Sequence, residues 1–106
     1  MSEKRNKIFK AIADPTRREI FHLLILGSAL SISQLSMEFN ISRQGVTKHL
    51  KILEEAEMVK IEPQGRERFC YASAHALLEI KNWLSTYDAF WNDKLNDLGK
   101  HLDNMA

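Results

Sequence analysis

The sequence contains a single cysteine and no long apolar run, and both scarcities exclude classes of protein. Cys70 has no second cysteine with which to close an internal disulfide, and one thiolate cannot by itself make a metal cage, which argues against a disulfide-stabilised secreted domain. The longest apolar stretch, Ile20 to Leu26, is interrupted by His22 and is too short to cross a bilayer. We therefore expect neither an internal disulfide nor a membrane span.

Apolar residues are also scarce near the start of the chain, where a secretory signal would need its hydrophobic core. The basic opening is followed instead by Lys10, Asp14 and Pro15. The composition, with 44% hydrophobic and 27% charged residues over 106 positions, is that of an ordinary soluble domain. We therefore expect one domain over residues 1–106, located in the cytoplasm.

Charge of one sign is not in overall excess, since the formal net charge is +1, but the charges are unevenly distributed. Residues 1–74 carry twelve Lys and Arg against nine Asp and Glu, whereas residues 75–106 carry three against five. Arg43, Lys48 and Lys51 fall in a stretch with no acid between them. A local basic excess of this size is more often a solvated surface than a nucleic-acid contact, so it indicates little by itself.

Periodicity and capping residues predict two helices at the start of the chain. The first is predicted from Glu3 to Ala13, where Ile8 and Ile12 are four residues apart, as on one face of a helix. Asp14 followed by Pro15 is typical of an N-cap and a first helical residue, because Asp accepts free amide hydrogens and Pro has none to donate. The second helix therefore begins at Pro15 and ends before Gly27.

A third and a fourth helix are predicted to meet across a very short turn. The third opens at Ser31 or Ser33 and ends at Asn40, since Asn tolerates the left-handed conformation of a tight turn. Ser42 is then a good N-cap for the fourth helix, predicted over about residues 42–56. Two helices joined so closely form a helix-turn-helix unit.

A period of two predicts a β-hairpin over about residues 58–72. Phe69 and Tyr71 alternate with polar neighbours, so we expect them on the inward face and Cys70 on the outer face. A modified thiol or an intersubunit disulfide at Cys70 is then a minor possibility. The segment Pro63–Arg66 suits the β-turn, with Arg66 at its exposed tip.

One long helix is predicted over about residues 75–102, because nothing there breaks the helical period. Apolar residues recur at intervals of seven, and a second apolar set points elsewhere, so the apolar surface is wider than one intramolecular contact needs. The same helix of a second copy is the economical partner, about a twofold axis. The candidate dimer-interface residues are Ile8, Leu77, Leu84, Tyr87, Phe90, Trp91 and Leu98.

Three segments resemble the ArsR-type winged helix-turn-helix repressors: residues 11–20 (AIADPTRREI), 41–54 (ISRQGVTKHLKILE) and 65–71 (GRERFCY). The resemblance covers nearly the whole chain. It implies a mainly helical fold with a small β-hairpin wing, five helices, and a homodimer formed through the terminal helices that represses at a palindromic operator. The aromatic tail with Trp83 and Trp91 resembles the branch with a long aromatic terminal helix, rather than the arsenic- or zinc-binding branch.

The outward face of the predicted fourth helix has the chemistry needed to read double-stranded DNA. Arg and Gln side chains match base-edge acceptors in the major groove, and a Thr offers a hydroxyl and a methyl group. His49 and the basic residues on the wing suit phosphate or minor-groove contacts, which position a protein without reading much sequence. The candidate DNA-binding residues are Ser42, Arg43, Gln44, Thr47, Lys48, His49, Arg66 and Arg68.

Ligands for a metal or another cofactor are not apparent. The third helix lacks the cysteines of arsenic-type members, and Asp97 with His101 is a poor set for zinc. His22 is interpreted as a packed core histidine and His75 as a capping or surface residue. We expect no cofactor, while an unidentified small molecule or protein remains open as effector.

Two other functional classes stay open at this point. A winged-helix module can bind a protein partner through its aromatic tail with weak or no DNA binding. An enzyme has little support, because the sequence offers no Ser/His/Asp spacing, no glycine-rich phosphate loop and no cluster of metal ligands. We therefore expect a DNA-binding regulator and not an enzyme.

Overall fold

The computed structural model describes residues 2–105, so Met1 and Ala106 of the predicted domain lie outside it. The described residues form six helices and three strands. In chain order they are α1 (Glu3–Ala13), α2 (Pro15–Leu26), β1 (Leu30–Ser31), α3 (Ile32–Phe39), α4 (Arg43–Glu55), β2 (Val59–Gln64), β3 (Glu67–Ala72), α5 (Ala74–Ser85) and α6 (Asp88–Met105).

Side-chain caps begin α2 and α3 where the sequence predicts them. Asp14 Oδ2 accepts the Arg17 N–H at 3.0 Å and starts α2, with Pro15 as its first residue. Of the two predicted starts of α3, Ser31 is the N-cap and Ser33 is not. The Ser31 hydroxyl accepts from the Gln34 N–H at 3.0 Å, and the Gln34 side chain accepts from the Ser31 N–H at 2.8 Å. This reciprocal pair satisfies two amides that a helix start otherwise leaves open.

The sheet has three antiparallel strands in the order β1-β3-β2, one more than the predicted hairpin. The added strand, β1, is only two residues long and pairs Leu30 with Cys70 and Ser31 with Phe69. Two residues are too few to reveal a period of two, so the sequence gives no sign of this strand.

Cys70 lies on the inner face of the sheet, which corrects the predicted outer position. Its side chain has no exposed surface, and Ile61 is its directly opposed partner on β2. Opposed residues of antiparallel strands point to the same face, so Cys70 and Ile61 face the helices together, while Phe69 and Tyr71 point to the other side. Alternation alone leaves the choice of face open, and packing of α2 and α3 against β3 decides it.

One core joins the first four helices to the sheet. Ile8 is completely buried in this core and is not available to a partner, so it is withdrawn from the predicted dimer interface. His22 was expected in the core but is exposed on α2. The largest fully buried side chains are Ile8, Ile20, Leu35, Leu50, Leu53, Met58, Val46 and Cys70.

The predicted long terminal helix is two helices, which raises the number from five to six. The break lies at Thr86 and Tyr87, where backbone amides bond to carbonyls three residues back, at 3.2 Å and 3.0 Å. The hydroxyls of Ser85 and Thr86 also donate to the carbonyls of Asn82 and Trp83, both at 2.7 Å. Ser and Thr hydroxyls compete in this way for the carbonyls of a helix, so the last turn tightens and α5 ends there.

Helix α5 docks on α1 through its aromatic and charged residues. The Trp83 ring meets the Phe9 ring edge to face, with centroids 4.9 Å apart, and contacts Tyr87 at 5.4 Å. Arg5 and Glu79 form a half-buried ion pair at 3.3 Å. These contacts hold the start of the terminal segment against the core.

Helix α6 projects away from the rest of the chain and has no buried residue along Asp88–Met105. The Cα radius of gyration is 18.4 Å and the longest extent is 63 Å. A compact chain of this length has a radius of gyration of about 13 Å. The excess agrees with the lack of buried residues on α6, which packs little against the rest of the chain.

Candidate nucleic-acid interface

The turn between α3 and α4 fixes the angle of the helix-turn-helix unit. Asn40 has a φ of 51°, as predicted for a left-handed turn residue. The Ser36 hydroxyl donates to the Ile41 carbonyl at 2.5 Å, and the Ile41 N–H donates back to the Ser36 carbonyl at 3.2 Å. This reciprocal pair crosses the turn and holds α4 at a set orientation to α3.

Helix α4 presents an open polar face on the side opposite its buried residues. Val46, Leu50 and Leu53 have no exposed surface, and they seat the helix on the core. Thr47 is exposed, and its hydroxyl donates to the Arg43 carbonyl at 2.8 Å, so the hydroxyl oxygen can still accept a hydrogen bond. The exposed side chains of this reading face are Arg43, Gln44, Thr47, Lys48 and Lys51.

Ser42 is primarily a structural residue of this site. Its hydroxyl accepts the Gly45 N–H at 3.0 Å and so starts α4, as the sequence predicts. A Cβ on Gly45 would lie 3.3 Å from this hydroxyl oxygen, so a larger residue would crowd the cap. Ser42 therefore sets where the reading face begins along the chain.

His49 is not part of the reading face. Its side chain is 25% exposed, and its Nδ1 lies 3.9 Å from Asp14 Oδ2. Nδ1 is buried and has no hydrogen-bond partner among the described residues. His49 is therefore less exposed than Arg43, Gln44, Thr47 and Lys48 of the same helix.

The wing carries its two arginines at and beside the hairpin tip. Gln64 pairs with Glu67, so the loop is Gly65–Arg66, and Gly65 has a φ of 64°, which favours glycine. Pro63, predicted in the turn, instead lies within β2, an edge strand, where a residue without an N–H is tolerated. Arg66 and Arg68 are both exposed.

Glu67, the acidic residue beside the hairpin tip, contacts the first turn of α3. The Ser33 hydroxyl lies 3.4 Å from both carboxylate oxygens of Glu67, which ties the base of the wing to the first turn of α3. Glu62 on β2 is exposed, so the wing has mixed charge. The reading face has no acid, and its net charge is positive.

The two arginines near the start of α2 have different positions. Arg17 donates from Nε to the Ala11 carbonyl at 2.7 Å and from its guanidinium NH₂ to the Lys10 carbonyl at 3.3 Å, so it caps the end of α1. Arg18 is exposed on α2. Arg17 is thus committed to the corner between α1 and α2.

Residues 2–105 contain neither a cluster of metal-ligand side chains nor a helix that could span a membrane. No group of three His, Cys, Asp or Glu side chains within that range is arranged to hold a metal ion. No described helix is long and apolar enough to span a bilayer. Asp97 and His101 lie exposed on α6.

The interface also depends on contacts that the sequence does not reveal. Three of these contacts join residues from different elements or turns: His49 with Asp14, Arg17 with the Ala11 carbonyl, and Ser33 with Glu67. Periodicity reports which face of an element is apolar, but it carries no information about such pairs. The one available signal for the first pair is that Asp14 and His49 both lie in segments that resemble the ArsR family, residues 11–20 and 41–54.

A helix-turn-helix followed by a β-hairpin is the arrangement of winged helix-turn-helix proteins, and this chain belongs to that class. Its fourth helix has an open basic face without acids, and its hairpin bears exposed arginines. A helix-turn-helix domain family matches residues 12–62, from the end of α1 into β2. Transcriptional repressor SdpR of Bacillus subtilis is 36% identical over 93 residues, which are 88% of this chain and 99% of that protein.

Solved structures agree with this match. An ArsR-like transcriptional regulator from Rhodococcus sp. RHA1 has a TM-score of 0.70 and 30% identity, with 90% of this chain and 89% of that chain covered. The crystal structure of another ArsR family transcriptional regulator has a TM-score of 0.75 and 31% identity, with coverages of 85% and 92%. This chain belongs to the ArsR family of winged helix-turn-helix transcriptional regulators, which confirms the resemblance in its sequence.

Proposed function

We propose that this protein is a cytoplasmic repressor that binds a palindromic DNA operator as a homodimer. The observation that carries the proposal is the open face of α4, where Arg43, Gln44, Thr47 and Lys48 are exposed together and no acid intervenes. An α-helix of this kind fits the major groove, and these side chains can donate to, accept from and pack against base edges. Repression is proposed because the curated relative SdpR is named a transcriptional repressor.

Dimerisation is proposed from the apolar stripe that α5 and α6 leave uncovered. Trp91 and Leu98, seven residues apart on α6, are 55% and 53% exposed, and Leu84 near the end of α5 is 47% exposed. Large apolar side chains aligned along a projecting helix are costly to leave in water. A second copy related by a twofold axis covers the stripe with its own and sets the two reading faces roughly 34 Å apart, the spacing of successive major grooves.

The aromatic members of this stripe also favour the long-tailed, non-metal branch of the family. Tyr87, Phe90 and Trp91 are 44%, 54% and 55% exposed at the α5–α6 junction and the start of α6. A protein partner is the competing occupant of the same stripe. If a protein partner covers the stripe instead, this protein is a monomer in solution and does not self-associate.

The test replaces two members of the reading face. We expect Arg43→Ala with Gln44→Ala to abolish the preference for a DNA duplex selected by the wild-type protein from a random-sequence pool, while the dimer stays intact. Gel-shift titration measures the affinity and sedimentation measures the mass. Asn96→Ala with Lys100→Ala on α6 is the matched control, since it also removes one amide and one cation. Unchanged selective binding by the first variant would refute the reading face.

A further inference from the structure

A contact behind the reading face joins α4 to the corner between α1 and α2. We propose that His49 is a positioning residue that acts through Asp14 to hold α4 in the orientation that reads DNA. The proposal rests on the DNA-binding function proposed above. It deepens that function by assigning a residue that controls operator affinity without touching the operator.

The position of His49 fits this role. It is one residue before the fully buried Leu50 and one after the exposed Lys48, and its own side chain is half-buried. Its ring therefore lies at the edge of the seated face of α4. A residue at that edge controls how the helix rolls on the core, and the roll sets where the neighbouring exposed side chains point.

The other partner, Asp14, belongs to a corner with little freedom to move. Its Oδ2 accepts the Arg17 N–H at 3.0 Å, and the Arg17 side chain donates to the Ala11 carbonyl at 2.7 Å. The end of α1 and the start of α2 are thus tied to each other by these two residues. A contact between α4 and Asp14 therefore fixes the orientation of α4 relative to this corner.

The two side chains are poised to interact but are not tightly bonded. Nδ1 of His49 is 3.9 Å from Oδ2 of Asp14, about 1 Å beyond a hydrogen bond. The same nitrogen is buried without a partner among residues 2–105, and a buried polar atom left unpaired is unfavourable. A small movement of α4 toward α2 would give this nitrogen its partner, so the pair favours the orientation of α4 in which the contact is closed.

The electrostatics of the pair agree with the geometry. The pKa of the Asp14 carboxyl lies below its ordinary value, chiefly because it accepts the Arg17 N–H, with smaller contributions from the charges of Arg17 and His49 that act against partial desolvation. A carboxylate that stays ionised is the stronger acceptor for an imidazole N–H.

Direct contact between His49 and a DNA phosphate is the competing role, and salt separates the two. A residue that neutralises a phosphate contributes to the slope of log affinity against log salt, by about 0.9 for each phosphate. A positioning residue lowers affinity at every salt concentration and leaves the slope unchanged. The slope in His49→Ala therefore distinguishes them.

The experiment uses the full-length protein, a duplex selected from a random-sequence pool, and fluorescence anisotropy. We expect His49→Ala to weaken binding about tenfold with an unchanged salt slope, and His49→Asn, whose amide N–H replaces Nδ1–H, to recover affinity to within about threefold. Asp14→Ser keeps a capping hydroxyl and withdraws the carboxylate, so it should weaken binding about as much as His49→Ala. Adding Asp14→Ser to His49→Ala should cost little more than either change alone.

Three results would overturn the proposal: a reduced salt slope in His49→Ala, no recovery in His49→Asn, or fully additive effects in the double variant. Circular dichroism of each variant checks that it folds. Nuclear magnetic resonance of the free wild-type and His49→Ala proteins tests the contact without DNA, because losing the imidazole should raise the Asp14 carboxyl pKa. If the wild type selects no duplex, the proposed function fails. An unmoved Asp14 pKa refutes the contact itself, so the two failures are distinguishable.

Discussion

Cys70 has no exposed surface where β1, β2 and β3 meet the helices. Burial raises the pKa of its thiol to about 11, and the negative charge of Glu54 adds to the effect. Because the thiolate is the reactive form, a buried thiol with a raised pKa reacts slowly.

We therefore expect the native protein to react with a disulfide reagent at about pH 8 at least a hundredfold more slowly than the urea-unfolded chain. Absorbance of the released thiol measures both rates. The unfolded chain is the internal control, since it contains the same single thiol. A fast, complete reaction of the folded protein would contradict the buried position of Cys70.

The Asp14 carboxyl should make stability depend on pH. Its folded-state pKa is lowered from 3.8, mainly by the Arg17 N–H. A group whose pKa is depressed in the folded state stabilises the fold above the unfolded pKa and loses that contribution as pH falls through the folded value. Asn also caps helices well, so Asp14→Asn removes the charge and keeps the cap.

We expect wild type to have the higher midpoint of thermal unfolding at neutral pH, and the difference from Asp14→Asn to vanish in acid. Calorimetry at a series of pH values measures it. Asp93→Asn on the exposed surface of α6 is the control and should give no such trend. A difference that persists unchanged to low pH would show that the charge of Asp14 does not stabilise the fold.

At the scale of single residues, the sequence is most informative where one residue meets one local need. Asp14, Asn40 and Ser42 were predicted correctly because a cap or a left-handed turn depends on the backbone nearby. The face of Cys70 was predicted wrongly because that choice depends on which helices pack against the strand. His49 illustrates the same limit, since its partner lies in another helix.

Among the elements, the wing should contribute affinity more than selectivity. Arg66 and Arg68 are exposed at and beside the tip of the hairpin. Long cationic side chains on a wing contact phosphates, and each such contact adds to the salt dependence of binding.

We expect Arg66→Ala with Arg68→Ala to weaken binding to selected and unselected duplexes by similar factors and to reduce the salt slope by about 1 to 2. Anisotropy titrations at several salt concentrations measure both quantities. Lys81→Ala with Lys100→Ala on α5 and α6 removes the same charge away from the wing and should have little effect. An unchanged slope in the wing variant would mean that these arginines do not contact phosphate.

Helix bounds follow the sequence well in the first half of the chain, whereas the second half departs from it. Helices α1 to α4 begin and end within a residue or two of their predicted bounds, because strong caps coincide with clear apolar periods. Strand β1 was missed because it is two residues long. The break at Thr86 was missed because the apolar period of seven continues through it, and only local hydroxyl bonds interrupt the helix.

For the whole molecule, the main feature is a compact body with one projecting helix. The 63 Å extent and the absence of buried residues on α6 mean that a single subunit leaves its terminal helix without support. Most of the stability of a helix in a protein comes from packing its apolar face, so a partner on the exposed stripe would stabilise α6. The apolar period of the sequence predicted this uncovered surface, and we propose that a second copy of the chain covers it.

We expect Leu95→Asp with Leu98→Asp to convert the dimer into a folded monomer, because the charges fall on the exposed stripe and touch nothing in the core. Analytical ultracentrifugation measures the mass, and circular dichroism the fold. Asn96→Asp with Lys100→Asp on the polar side of α6 is the control and should stay dimeric. A charged-stripe variant that remains a dimer would refute α6 as the interface.

The most direct test of the whole account is the stoichiometry and symmetry of the DNA complex. Sedimentation of the wild-type protein with its selected duplex should give two subunits per duplex, and hydroxyl-radical footprinting should protect two half-sites about one helical turn apart on one side of the DNA. Arg43→Ala with Gln44→Ala should lose both half-sites together. One subunit per duplex, a single protected half-site, or the same footprint in that variant would contradict a dimer that reads DNA with α4.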